Sequence, residues 1–533
     1  MNSKFRTLSL YGLLAVVTLV LLFGLSRIEN RLEGQIKTHH LRFTGQIENA
    51  PPLVAFTTVA LGSFRGLIAD LLWLRAGALQ EKGNYYEMAQ LARWLTDLQP
   101  TFSGATAYLA WNMAYNISVT CSDFADRWRW VNEGIRLIRD RALIYNPEDP
   151  VLYKDLAWIF QHKMGNYMDD ANQYYKVQLA QAMTEVIDNT DDFTDWAAAP
   201  ATAKEFMKSF GGNEKLWEAA MKAGYPDEAA LYAAFVENKA KLPEAFTVAL
   251  RNPELAKKID IAFRTRLLKQ RFKLDAKMIH EINQKYGKLD WRLPEAQAIY
   301  WARMGLLKTP GGKDINCERV VSQSLYEAFR SGRLMLADTK DYSTAQMAPN
   351  LELADAVKRT FEEAYENNDR QSTFFSVKIN FMKEAIVMMF RYGKFKKAEE
   401  YFKELATIDG DPKKFRTMEA FVMSRFTEEV RDASVKKAGE LVASLIWRSL
   451  YFLVYNEHEA AVANERLARF VYKSYMSSTG KGQEVRMGLP PYDDIKKGVV
   501  ENCLKFFPPA MSRILKAKIA EEQAAAAAGD KQK

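Results

Sequence analysis

Asp290 and Glu295 are the residues whose type and spacing best suit chemistry, and Trp291 and Trp301 lie near them in the sequence. Paired carboxylates serve as general acid and base in glycoside hydrolysis, and the two indole rings would give a sugar a flat apolar surface. The same residues also fit an ordinary helix start, since Pro294 suits a first helical position and both carboxylates would cap the helix or complement its dipole. The sequence leaves both interpretations open.

Other catalytic and metal motifs are incomplete. The segment His280-Glu281-x-x-Gln284 differs by one residue from the H-E-x-x-H zinc motif, and glutamine is not a useful zinc ligand. The chain has neither a G-x-S-x-G nucleophile turn nor a G-x-x-x-x-G-K-[ST] phosphate loop. Its three cysteines are too far apart for a disulfide set or a Cys-x-x-Cys metal pair: Cys121, Cys317 and Cys503. We therefore expect no metal, no cofactor and, outside the glycosidase alternative, no enzymatic activity.

Composition sets further limits. A chain of 533 residues predicts two or three domains, or an elongated repeat array in which each unit contacts only its neighbours. The net charge of +8 is a small excess of 74 basic over 66 acidic residues, so we expect no nucleic-acid partner. The most basic segment is Lys257 to Lys273, which is either a solvated helix face or a contact for anionic lipid or an acidic partner.

Any such site must be positioned by helices, and short turns that contain glycine join these helices. Two amphipathic runs, Ala69 to Lys82 and Tyr86 to Leu98, flank the first turn, and a glycine there supplies a backbone angle that other residues resist. The turn pattern is a glycine with an aromatic two positions later, followed in the first case by a proline that ends the second helix. Its members are Gly83 with Tyr85 and Pro100, Gly165 with Tyr167, and Gly393 with Phe395.

This pattern resembles the tetratricopeptide repeat (TPR) family. The clearest unit is Ile379 to Pro412, whose second helix places Ala398, Tyr401, Phe402 and Leu405 on one face at helical spacing. A helix with such a stripe must stack against neighbours. The resemblance implies an all-α, helix-turn-helix solenoid with a binding groove, acting as a protein-binding scaffold.

The resemblance also implies which side chains face the groove. In the first unit these are Asp70, Trp73 and Gln80, and in the C-terminal unit they are Lys383, Phe390 and Arg391. For the irregular second unit, the run Asn-Met-Ala-Tyr-Asn places polar and aromatic groups one turn apart, which adds the candidates Asn112, Tyr115 and Asn116. The alternative for these asparagines is that they are buried and bond to the next helix.

An uncharged apolar run from Leu8 to Leu25 is long enough to span a bilayer. Lys4 and Arg6 precede it, so the positive-inside rule predicts a cytoplasmic N-terminus and a single-pass inner-membrane protein whose bulk is periplasmic. A cleaved signal peptide is the alternative. A second span over Leu53 to Leu74 would return the bulk to the cytoplasm, but Arg65 and Asp70 make it costly, at roughly 2.5 to 3.5 kcal/mol for each charge.

These observations predict six segments: an anchor (1–26), a juxtamembrane segment (27–62), an N-terminal TPR-like array (63–190), a helical insertion (191–313), a C-terminal TPR-like array (314–510) and a flexible tail (511–533). The expected function is that of a membrane-anchored adaptor that holds a protein partner and assembles a cell-envelope complex. The alternative is a membrane-tethered glycan-active enzyme that uses Asp290 and Glu295.

Overall fold

A computed structural model gives the fold of the chain. It describes residues 64–99, 102–165, 169–337, 341–367, 370, 372–410, 415–422, 424, 435–478 and 489–530, with seven isolated residues before position 64. The described part is all-α, as predicted, with one addition. Arg333–Met335 (β1) and Gln346–Ala348 (β2) form an antiparallel pair in which Leu334 faces Met347, an element that the all-α prediction did not include. Strands of three residues are too short to leave an alternating pattern in the sequence.

The chain divides into two compact units: residues 1–156 with 307–312, and residues 157–306 with 313–533. The first unit ends earlier than the boundary predicted at 190. Three short π-helical or 3-10 segments in this unit continue α3 and α4. In chain order its described helices are α1 (Phe64–Glu81), α2 (Tyr85–Leu98), α3 (Ser103–Asn112), π-helix Met113–Ile117, 3-10 helix Ser118–Thr120, α4 (Phe124–Leu137), π-helix Ile138–Ala142, α5 (Leu143–Tyr145) and the start of α6 (Pro150–Trp158).

The second unit contains most of the segment predicted as an insertion and all of the segment predicted as the C-terminal array. Its first half comprises π-helix Ile159–Gly165, α7 (Asn172–Ile187), α8 (Thr194–Ala198), α9 (Ala203–Phe210), α10 (Glu214–Lys222), α11 (Glu228–Glu237), α12 (Glu244–Leu250), α13 (Pro253–Phe272), α14 (Ala276–Tyr286) and α15 (Pro294–Lys308). After the 3-10 turn Pro310–Gly312, which belongs to the first unit, come α16 (Ile315–Ser331), the hairpin with 3-10 turns Tyr342–Thr344 and Leu351–Leu353, α17 (Ala354–Asn367), α18 (Ser372–Arg391), α19 (Phe395–Asp409), α20 (Val435–Val454), α21 (His458–Ser478), α22 (Tyr492–Phe506) and α23 (Pro509–Asp530).

Four helix-to-helix turns share one backbone geometry. In each, a residue with positive φ follows the first helix, and the next N–H donates to the carbonyl five positions earlier at 2.8 to 2.9 Å. This is the Schellman arrangement, which satisfies carbonyls at a helix C-terminus. The four left-handed residues are Gly83, Gly224, Gly393 and Asn456. The turn interpretation of Gly83 and Gly393 is therefore confirmed at the level of backbone geometry.

Gly165 differs from the other predicted turn glycines. It ends a π-helical segment, its φ is not positive, and a Cβ on it would lie 3.6 Å from Glu295 Oε1. Gly165 therefore lacks the left-handed angle of Gly83, and a Cβ there would meet only ordinary van der Waals contacts. Tyr167 and Pro100 lie outside the described residues.

The apolar stripe of α19 is buried as predicted: Ala398, Tyr401, Phe402 and Leu405 are all at most 6% exposed. The C-terminal tail behaves differently from the prediction. Residues 509 to 530 form α23, and Met511 and Leu515 on it pack into the core that α20 and α21 build. The segment is alanine-rich only at its end, and it begins with an apolar helix face that packs on the core. The prediction of a flexible tail did not take this apolar face into account.

No helix in the described ranges is both long enough and apolar enough to span a membrane. All but two residues of the run Leu8 to Leu25 lie outside those ranges. Of the second apolar stretch, the residues from Phe64 onward belong to α1, where Asp70 is exposed.

Candidate functional site

The predicted groove residues of the first unit lie on α1, on α3 and on the π-helix that continues α3. Two features place these elements side by side. Gly83 reverses the chain after α1, and Gly134 lets α4 approach α3 so closely that a Cβ there would lie 2.6 Å from the Ala110 carbonyl oxygen. Tyr85, at the start of α2, packs edge-on against the buried ring of Trp130 on α4, at 6.2 Å between centroids. The turn aromatic thus joins the two helix pairs.

Four aromatic rings form a continuous row across these elements. Trp73 lies 5.6 Å from Tyr108, Tyr108 lies 6.5 Å from Trp111, and Trp111 stacks on Tyr115 at 5.4 Å between centroids. We call this row of Trp73, Tyr108, Trp111 and Tyr115 the aromatic stripe. Its first three rings are 36%, 48% and 42% exposed, and Tyr115 is half-buried. Burial raises the pKa of Tyr115, so its phenol stays neutral at physiological pH.

Amide side chains run beside the stripe. Gln80 on α1 and Asn112 on α3 exchange two hydrogen bonds, with Gln80 Nε2 donating to Asn112 Oδ1 at 3.2 Å. Asn116 Nδ2 also donates to Asn112 Oδ1, at 2.7 Å. Asn112 is fully buried, whereas Asn116 is exposed. Asn112 is therefore the buried, helix-bridging asparagine that the sequence left as an alternative, and Asn116 and Gln80 carry the amide row towards the surface.

The structure brings together five of the six candidates in this unit: Trp73, Gln80, Asn112, Tyr115 and Asn116. Asp70 is exposed on α1 one turn before Trp73. Tyr108 was missed by the sequence argument. Its signal was present, because Tyr108, Trp111 and Tyr115 follow one another at spacings of three and four residues and so share one helix face.

The three C-terminal candidates on α18 do not share one site. Phe390 lines an apolar cavity of about 300 Å³, with Phe395 and with Leu467 and Phe470 of α21. Lys383 and Arg391 are half-buried and do not line it, and the Arg391 carbonyl accepts a hydrogen bond from Asn464 Nδ2 at 2.9 Å. The structural residues of this unit fit the prediction, since Phe395 packs edge-on against Phe390 and Ala398 is fully buried.

The carboxylates of the enzymatic alternative are both engaged in ion pairs. Asp290 binds Arg292 through both oxygens, at 2.8 and 2.7 Å, and accepts the Leu334 N–H at 2.9 Å. Glu295 pairs with Lys176 at 2.9 Å, and both side chains are at most 3% exposed. Asp290 thus ties the start of α15 to β1, and Glu295 ties α15 to α7.

The two tryptophans of that alternative are buried as well. Trp291 is 1% exposed and donates its indole N–H to Asn283 Oδ1 at 3.0 Å, and Trp301 is 3% exposed. Neither indole offers a sugar a surface in this arrangement. Among the described residues no group of three His, Cys, Asp or Glu side chains is placed to hold a metal ion.

Comparisons with known proteins give no identification. No protein-family model matches the chain, and no match was found among curated proteins or solved structures.

Proposed function

We propose that this protein is a membrane-anchored, TPR-like scaffold that holds a segment of a protein partner along the aromatic stripe and thereby assembles a cell-envelope complex. The observation that supports this most directly is the stripe itself. Four rings from α1, α3 and its π-helical extension lie in one row, and three of them are more than a third exposed. Exposed aromatic rings in a contiguous row are typical of protein interfaces.

The adjacent amides support the same function. Exposed Asn116 and half-buried Gln80 are anchored by the buried Asn112, so their orientation is set before a partner arrives. Polar groups fixed beside an apolar surface give an interface its register at little entropic cost. A partner segment would place apolar side chains on the rings and hydrogen-bond to the amides.

A photo-crosslinking residue tests the stripe in intact membranes. We expect a defined adduct when it replaces Tyr108, and none when it replaces Trp94, which is 48% exposed but lies on α2 outside the stripe. Replacement of Trp73 and Tyr115 by alanine should remove the Tyr108 adduct. An adduct that persists unchanged in that double variant would contradict the proposed surface.

Reporter fusions test the membrane topology that the proposal assumes. Fusions after Lys37 and after Arg93 should both be exported if Leu8 to Leu25 is the single span. Reporters on opposite sides of the membrane would instead show a second span over Leu53 to Leu74.

A further inference from the structure

A second cavity, of about 490 Å³, lies in the helical insertion, where the end of α8 meets α9, α13 and α14. One wall is the segment Trp196 to Ala201, which presents small side chains and backbone. Three lysines line the rim, namely Lys208, Lys269 and Lys277. We call this cavity the lysine cleft. Its volume lies in the range of cavities that hold small molecules, which is roughly 300 to 1,000 Å³.

The two carboxylates in the cleft serve helix ends. Glu205 accepts the Ala201 N–H at 2.9 Å, and Asp275 accepts the Lys277 N–H at 2.9 Å as the N-cap of α14. Lys269 is the nearest cation to Asp275, at 3.5 Å. Within the described ranges neither Lys208 nor Lys277 forms an ion pair, so the cleft keeps positive charge that its own acids do not neutralise. Ala276, the first residue of α14, also lines it and adds the positive end of that helix dipole.

A buried threonine hydroxyl also lines the cleft. Thr265 on α13 lines the cleft and is 2% exposed, yet its Oγ1 has no hydrogen-bond partner in the described part of the chain. A buried polar group without a partner costs about 1 to 3 kcal/mol. A ligand oxygen in the cleft would give this hydroxyl an acceptor.

We propose that the lysine cleft binds a small organic anion, whose carboxylate or phosphate group contacts the lysines and the Thr265 hydroxyl while its apolar body lies against Trp196 and the alanine wall. The charge that the cleft's own acids leave uncompensated comes from Lys208 on α9 and Lys277 on α14, since Lys269 on α13 already lies 3.5 Å from Asp275. This site is independent of the aromatic stripe.

Affinity labelling of the purified protein with pyridoxal 5′-phosphate tests the proposal. A lysine amine condenses with the aldehyde with loss of water, and borohydride reduction makes the adduct permanent for peptide mapping by mass spectrometry. We expect labelling of Lys208, Lys269 or Lys277 several-fold faster than of Lys204, which is exposed on the same helix as Lys208 but outside the cleft. Pyridoxal without phosphate should show no such preference.

Competition identifies the anion. Protection by citrate but not by inorganic phosphate indicates a carboxylate ligand, and the reverse indicates a phosphate ligand. Equal labelling of cleft and control lysines, or labelling that neither anion slows, would overturn the proposal.

Variants separate binding from folding. Lys208→Ala should weaken protection at the remaining cleft lysines, whereas Lys204→Ala should leave it unchanged. Thr265→Val should also weaken protection, while its thermal stability stays equal to or above that of the wild type, because valine removes an unpaired hydroxyl at similar volume. Full protection in both Lys208→Ala and Thr265→Val would contradict the site.

Discussion

Three tryptophans of the first unit and the two beside the Asp290 and Glu295 carboxylates of the second unit lie in opposite environments. In the first unit, Trp73, Trp94 and Trp111 are each more than a third exposed. In the second, Trp291 and Trp301 are buried in the helical core. The first unit thus keeps aromatic surface accessible along the aromatic stripe, whereas Trp291 and Trp301 serve the packing of the second unit.

Charged side chains show the reverse contrast. The second unit buries two lysine-carboxylate pairs, Lys163 with Asp169 and Lys176 with Glu295, with every side chain at most 7% exposed. Ion pairs in the first unit, such as Arg141 with Asp97, are partly exposed. Removing one member of a buried ion pair leaves an uncompensated charge. Single substitutions at these buried pairs should therefore lower the stability of the second unit more than substitutions at the partly exposed pairs lower that of the first.

The largest expected effect is the loss of one member of a buried pair. Lys176→Met leaves the Glu295 carboxylate without its cation at 3% exposure, and should lower the free energy of unfolding by about 3 to 5 kcal/mol. Urea denaturation followed by tryptophan fluorescence measures it. The double variant Lys176→Met with Glu295→Leu should recover most of the loss. If the double variant is as unstable as the single one, the pair is not the cause.

A smaller effect should distinguish equivalent glycines in the two units. Gly83 and Gly393 both have positive φ, so alanine strains either turn by about 1 to 2 kcal/mol. A Cβ at Gly393 would also lie 3.0 Å from the Glu459 carbonyl oxygen, whereas at Gly83 nothing lies within 4 Å. Gly393→Ala should therefore be the more destabilising of the two in thermal unfolding. Equal losses would mean that the α21 backbone moves aside freely.

These glycines also show what a sequence can predict. A left-handed turn residue and an apolar face at helical spacing are local properties, which is why the turns at Gly83 and Gly393 and the buried stripe from Ala398 to Leu405 were recognisable. Trp73 and Gln80 were expected from the resemblance to the TPR family, and Tyr115 was expected from the run Asn-Met-Ala-Tyr-Asn.

What escaped prediction depends on distant parts of the chain. Lys176 and Glu295 are 119 residues apart, and the local sequence around either residue does not indicate its ion-pair partner. The sequence left the burial of Asn112 open because its partner, Gln80, is 32 residues away, and the π-helical extension that carries Tyr115 and Asn116 has no sequence pattern as simple as an apolar repeat.

Loss of a stripe ring should change binding far more than stability. Trp111→Ala removes one stacked contact and an exposed ring, so the free energy of unfolding should fall by only about 0.5 to 1.5 kcal/mol. The Tyr108 crosslink, in contrast, should be lost, since a central aromatic in an interface commonly contributes about 2 kcal/mol or more. Circular dichroism melts and crosslink yield measured on the same preparations separate the two. Trp94→Ala serves as the matched control and should keep the crosslink.

The smallest effect concerns pH and the second unit. Burial raises the pKa of Glu327, and the Arg330 guanidinium, 3.2 Å away, opposes this shift without cancelling it. A raised folded-state pKa means that the folded protein takes up this proton before the unfolded chain does. The contribution of Glu327 therefore becomes more favourable as pH falls from neutral through its folded-state pKa, and stops changing below the unfolded value of about 4.3.

A double difference isolates that contribution from the other carboxylates. The free energy of unfolding is measured at pH 7 and pH 5 for the wild type and for Glu327→Gln, with Glu237→Gln, an exposed position on α11, as the control. On acidification the wild type should gain stability relative to Glu327→Gln, and should show no such gain relative to Glu237→Gln. A loss relative to Glu327→Gln would mean that the ion pair with Arg330 outweighs burial. In that case partly buried charges in the second unit would stabilise it in the same way as the fully buried pairs, and its contrast with the first unit would be sharper.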